Sequence, residues 1–174
     1  MRHIKVLPCI LMERVFVLAD ERATHTFGSK LAIALITAMR AVTTHGIQVH
    51  LSGDLGSGKT TLVRAILWAL GYTQYVRSPT YTLVEPYIIG NVDGVPLLVY
   101  HFDLYRFVYP SEWEDMGFRE YYDTQALHLI EWPERASGML GLPDLQFVLE
   151  VQGESRKLTA RAYSETGKAC LAPC

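Results

Sequence analysis

Gly53-Asp54-Leu55-Gly56-Ser57-Gly58-Lys59-Thr60 is the stretch on which the reading of this chain turns. An apolar run from Ile47 to Leu51 leads into it and reads as a β-strand. Thr61 to Leu70 follows and reads as a helix, stopped by Gly71. Glycine at 53 and 58 lets the backbone turn tightly round an anion, where a side chain would block the approach. Successive backbone N–H groups then point inward, and the helix brings its positive end to the same spot. In such a loop Lys59 reaches the β- and γ-phosphates, and the Thr60 hydroxyl binds magnesium. Thr61, a second hydroxyl, reads as a helix residue beside the phosphates. The expectation is a site for ATP with Mg2+ formed by Gly53 through Thr61. The expected fold is a P-loop NTPase-like three-layer α/β domain with a mixed parallel/antiparallel central sheet.

Outward from the loop, Val15 to Leu18 is a candidate strand and Asp20 a helix cap. Phe27, Leu31, Leu35 and Met39 recur every four residues, one face of a helix ending near Gly46. Leu83 to Ile89 and Val95 to Phe102 are β-like, and the turn from Gly90 to Gly94 makes them antiparallel neighbours. Ser111 and Glu114 have capping-box spacing, with a helix or two expected toward Tyr122. Leu127 to Ile130 is a short buried strand. Gln146 to Val151 and Leu158 to Tyr163 form a final hairpin. One domain over 13–166 is expected. Residues 1–12 are expected to be a disordered or mis-annotated extension, with Met12 as an alternative start, and 167–174 a C-terminal tail.

The 174 residues are 49% hydrophobic, enough for one core. The net charge of -2 argues against a protein that grips nucleic acid by itself. Cys9, Cys170 and Cys174 form no Cys-x-x-Cys pair and lack zinc spacing, so they read as thiols of a reducing compartment. No apolar run spans a bilayer, and the N-terminus is rejected as an export signal because Pro8, Glu13 and Arg14 break it. The expected location is the cytoplasm, with no membrane partner.

Hydrolysis requires acidic groups at the ends of neighbouring strands. Asp103 ends the apolar run Leu97 to Phe102, and Glu131 ends Leu127 to Ile130, so either can serve magnesium or water. Ser78, Thr80 and Thr82 form a hydroxyl-rich loop suited to sensing a γ-phosphate; a plain Ser-Pro turn is the competing reading. His101 reads as a packed histidine, and Arg106 as a surface ion-pair partner in preference to a phosphate contact. Trp132 either stacks near a base or packs.

Four stretches together resemble the TsaE (YjeE) family: the glycine loop, Ser78-Pro79-Thr80-Tyr81-Thr82-Leu83-Val84-Glu85-Pro86-Tyr87, His101-Phe102-Asp103-Leu104-Tyr105-Arg106, and Ile130-Glu131-Trp132-Pro133-Glu134. Met116 to Tyr121 fits too, so the resemblance spans Val15 to Tyr163. It implies an ATPase needed for threonylcarbamoyladenosine modification of tRNA, acting with the TsaD and TsaB proteins and meeting tRNA through that complex. It also implies that Lys59 binds phosphate, that Thr60 and Glu131 hold magnesium, and that Asp103 orients water. Trp132 is implied near the nucleotide, with the hairpin around Ser155 and Arg156 as a further contact. Ser57 stands where alanine is common in that family.

Three rival readings differ in chemistry. A small-molecule kinase needs an acceptor pocket and usually an arginine-bearing lid, whereas Arg119, Arg135 and Arg156 are scattered. A GTPase switch usually carries Asn-Lys-x-Asp, and the only asparagine, Asn91, precedes Val92. An interaction module with a structural loop would tolerate loss of Lys59.

Overall fold

Alternating strands and helices assemble round one seven-stranded sheet in the computed structural model, which describes residues 8–41, 45–92 and 94–174. The strands are β1 (Met12–Leu18), β2 (Ile47–Ser52), β3 (Val84–Val92), β4 (Val95–Asp103), β5 (Leu127–Glu131), β6 (Leu145–Gln152) and β7 (Ser155–Ala162). Their order is β1-β7-β6-β2-β5-β4-β3. β2 pairs parallel with β5 and β6, and β4 pairs parallel with β5. Antiparallel pairs β3–β4, β6–β7 and β1–β7 close the two sides. The sheet is therefore mixed, as the two hairpins in the sequence require.

The helices are α1 (Glu21–Ala41), α2 (Lys59–Ala69), α3 (Glu112–Asp115), α4 (Phe118–Tyr122) and α5 (Glu165–Leu171), with a 3-10 turn over Pro133–Ala136. The alternation of each strand sorts its side chains into two cores. Ile47, Val49, Leu51, Leu127 and Leu129 pack with Leu31 and Leu35 of α1, Leu62 and Ile66 of α2, and Leu171 of α5. Tyr100, Phe102 and Ile130 point the other way, into Trp113 of α3 and Phe118 of α4. The result is three layers, with the sheet in the middle.

Most local expectations hold. Asp20 caps α1, its carboxylate accepting the Ala23 N–H at 2.8 Å. The spacer between β3 and β4 is tighter than expected, because pairing continues to Val92 opposite Val95; Asp93 lies outside the described residues. The capping box at Ser111 does not form, since Ser111 has αR backbone and makes no side-chain cap. Glu112 supplies the carboxylate instead, accepting the Val108 and Tyr109 N–H groups at 2.7 and 2.8 Å. Residues 167–171 of the expected tail belong to α5, which buries Cys170 and Leu171 completely. At the other end, β1 begins at Met12 and the Leu11 N–H reaches the Ala162 carbonyl at 2.9 Å, whereas residues 1–7 of the proposed extension lie outside the described residues.

Candidate active site

The glycine loop sits where the topology sends it, between the carboxyl end of β2 and the first turn of α2. β5 and β4 lie next in the sheet, with Leu51 opposite Glu131 and Glu131 opposite Asp103. Three parallel strands therefore end side by side, and their last residues share one rim with the head of α2. Open parallel sheets bind their ligands at that end.

The loop is held open by its own atoms. The Lys59 ammonium donates to the Gly53 and Asp54 carbonyls at 2.6 and 3.0 Å. Its other side lies over the Trp132 ring, 4.0 Å from the centroid. Burial pushes the Lys59 pKa down, while Glu131, Glu134, Asp103 and Asp54 pull it back up. From outside, the Arg156 guanidinium donates to the Ser57 carbonyl at 3.1 Å, tying β7 to the loop.

The two acids differ in their surroundings. Glu131 is buried, and both of its carboxylate oxygens accept the Thr60 hydroxyl, at 2.9 and 3.1 Å. Asp103 turns toward the hydroxyl-rich loop. Its Oδ2 accepts Ser78 Oγ at 2.7 Å and Thr80 Oγ1 at 2.8 Å, and its Oδ1 accepts the Tyr105 N–H at 3.1 Å. The loop is anchored a second time where the Asp103 N–H donates to the Leu83 carbonyl at 3.0 Å.

Among the described residues, the non-glycine residues with positive φ are Leu83 at 66° and Trp132 at 59°. One ends the hydroxyl-rich loop and the other directly follows Glu131. Unfavourable backbone of this kind concentrates where a site over-determines it.

A cavity of about 260 Å³ opens between these groups, lined by Leu55, Gly56, Gly58, Lys59, Thr60, Thr61, Ser78, Thr80, Asp103, Tyr105, Glu131 and Trp132. Gly53, Asp54 and Ser57, also expected in the site, form the far side of the loop rather than the cavity wall. Gly53 and Asp54 offer their carbonyls to Lys59, and Ser57 is fully buried. Thr82 faces a neighbouring cavity behind the loop. Arg106 is stacked on Tyr81, 4.1 Å from the ring centroid, rather than drawn into the site.

Two contributors were under-read in the sequence. Tyr105 lines the cavity and packs on Trp132 with ring centroids 5.0 Å apart; its position two residues past the strand-ending Asp103 was the available signal. His101 is fully buried with Nε2 2.8 Å from Glu131 Oε1, so it is more than a packed ring.

The described residues contain no group of three His, Cys, Asp or Glu side chains placed to hold a metal ion. A magnesium site completed by phosphate oxygens and water needs only one or two protein oxygens. Thr60 and Glu131, an oxygen-only pair at the mouth of the loop, fit that requirement.

Comparison with known proteins agrees with this architecture. The sequence model of the family described as threonylcarbamoyl adenosine biosynthesis protein TsaE matches residues 18–162. The tRNA threonylcarbamoyladenosine biosynthesis protein TsaE of Haemophilus influenzae is 42% identical over 149 residues, covering 86% of this chain and 89% of that protein. The protein of the same name from Bacillus subtilis is 39% identical over 126 residues, covering 72% and 74%. The crystal structure of Bacillus subtilis YdiB superposes with a TM-score of 0.68 at 26% identity, covering 91% of each chain. With a family match across nearly the whole sheet and its helices, the chain belongs to the TsaE family.

Proposed function

We propose that the chain binds ATP with Mg2+ in the cavity beside Lys59 and hydrolyses it. That activity serves threonylcarbamoyladenosine modification of tRNA in the cytoplasm, together with the TsaD and TsaB proteins. The observation that carries the reading is the Thr60–Glu131 pair, 2.9 Å apart at the head of a helix that begins on a glycine loop. A hydroxyl that donates its proton to a carboxylate keeps its lone pairs for a cation. Thr60 and Glu131 would therefore hold the magnesium, which when bound neutralises charge developing on the phosphate oxygens.

The chain's own groups divide the remaining work. The N–H groups of the loop and the first turn of α2 bind phosphate. Lys59, packed against the Trp132 ring, would exchange its carbonyl partners for phosphate oxygens. Asp103 joins β4 to the loop of Ser78 and Thr80, so a phosphate contact at that loop is passed to the carboxylate that orients water. With a net charge of -2 the chain is poorly suited to hold tRNA alone, and its contact with tRNA runs through the partners.

The test is ATP hydrolysis by the purified chain, alone and with TsaD and TsaB from the same source. We expect stimulation by the partners and loss of at least tenfold in Lys59→Ala. Asp103→Ala and Glu131→Ala should weaken hydrolysis more than nucleotide binding, which rests on the loop backbone. Phosphate transfer to an added small molecule instead of water would establish the kinase alternative.

A further inference from the structure

His101 and Asp103 lie two residues apart on β4 and therefore point to the same side of the sheet, with Phe102 in the opposite core. Asp103 is directly opposite Glu131 and His101 opposite Leu129, so His101 lies diagonally beneath Glu131. The diagonal position is within reach of a long side chain. Nε2 of His101 is 2.8 Å from Glu131 Oε1, and both side chains are almost fully buried.

An ionised carboxylate only accepts, so this contact requires the proton on Nε2. The other ring nitrogen, Nδ1, is buried with no partner among the described residues, so the Nε2 bond sets the ring's polar orientation. Glu131 is then gripped from two directions. Thr60 holds it from the side of the cavity, and His101 holds Oε1 from the floor.

We propose that His101 is a positioning residue that holds the Glu131 carboxylate in the orientation required for magnesium, without itself touching metal or nucleotide. The proposal rests on the magnesium–ATP reading above. Without the Nε2–H donor, Glu131 keeps only the Thr60 hydroxyl, and any rotation toward a metal leaves Oε1 buried and unpaired. Hydrogen-bonded partners behind a metal ligand typically change metal affinity 10–100-fold.

The experiment is magnesium-dependent binding of a fluorescent ADP analogue to the full chain and to His101→Leu and His101→Gln, with thermal unfolding of each. The expected result is a rise of roughly tenfold or more in the Mg2+ concentration needed for half-maximal binding in His101→Leu. Binding in EDTA should stay unchanged, because the loop backbone carries it. His101→Gln, which restores an N–H donor, should recover most of the magnesium affinity; a merely packing role would give no such recovery. If His101→Leu does not fold, the same comparison is read from His101→Gln against His101→Met. An unchanged magnesium requirement in a variant lacking the donor, with a magnesium-dependent wild type, overturns the proposal alone. A wild type whose nucleotide binding ignores Mg2+ overturns the reading beneath it as well.

Discussion

A Cβ at Gly53 would lie 2.4 Å from the Leu149 carbonyl oxygen and 2.7 Å from Ser57 Oγ, and its φ of 144° is one that L side chains rarely adopt. Gly56 has φ of 77°, but among the described residues no atom beyond its chain neighbours lies within 4 Å of the corresponding position. The two glycines thus separate strain from collision. Gly56→Ala should cost about 1 kcal/mol of stability, the penalty of left-handed backbone alone. Gly53→Ala should cost on the order of 3 kcal/mol, because the new Cβ collides with the backbone of β6, and should abolish nucleotide binding. Urea unfolding of both variants checks the difference; equal midpoints would mean that the backbone of β6 yields. The same scale explains the charges. Lys59 is tolerated under burial because two carbonyls and an aromatic face surround it, and Glu131 because Thr60 and His101 donate to it.

Among the elements, α5 carries the largest lesson. It is only seven residues long, yet Ser164 caps it by accepting the Gly167 N–H at 3.0 Å, and Cys170 and Leu171 enter the core beside α1. Leu171→Ala should therefore destabilise by about 2–5 kcal/mol. Ile33→Ala, at a residue of α1 that is 68% exposed, should change stability by no more than about 0.5 kcal/mol. Denaturant midpoints of the two variants decide whether the chain's end belongs to its folded unit. At the start of α3 a similar point holds for capping. Glu112 lies inside the first turn and reaches back to the Val108 and Tyr109 N–H groups, whereas residue spacing assigned the backward reach to Glu114.

Across the whole molecule, the described residues include three buried histidines, His50, His101 and His128. Burial pushes the His50 pKa from its ordinary 6.5 down to about 4, and burial lowers His128 as well. Below pH 6.5 the unfolded chain takes up a proton at His50 that the folded chain refuses until pH nears 4. The unfolded state binds more protons across that window, so stability falls with falling pH, by up to about 3 kcal/mol for this group. Urea midpoints measured between pH 7 and pH 4 should show that loss, and His50→Phe should flatten it. Nothing in the sequence marks His50 for this role, since its burial comes from the sheet on one side and the Pro133–Ala136 turn on the other. The same division runs through the fold and the site. The glycine loop, the strand before it and the helix after it were legible because contiguous residues set their own backbone geometry. The two hairpins were legible because their turns are local, and with them the mixed sheet. The strand-ending acids Asp103 and Glu131 were legible as candidates, but their separate surroundings were not. The Thr60 bond to Glu131 spans 71 positions, and the His101 bond spans 30. The strand order β1-β7-β6-β2-β5-β4-β3 brings such pairs together, and that order is decided by non-local pairing and shared burial rather than by any local run of residues.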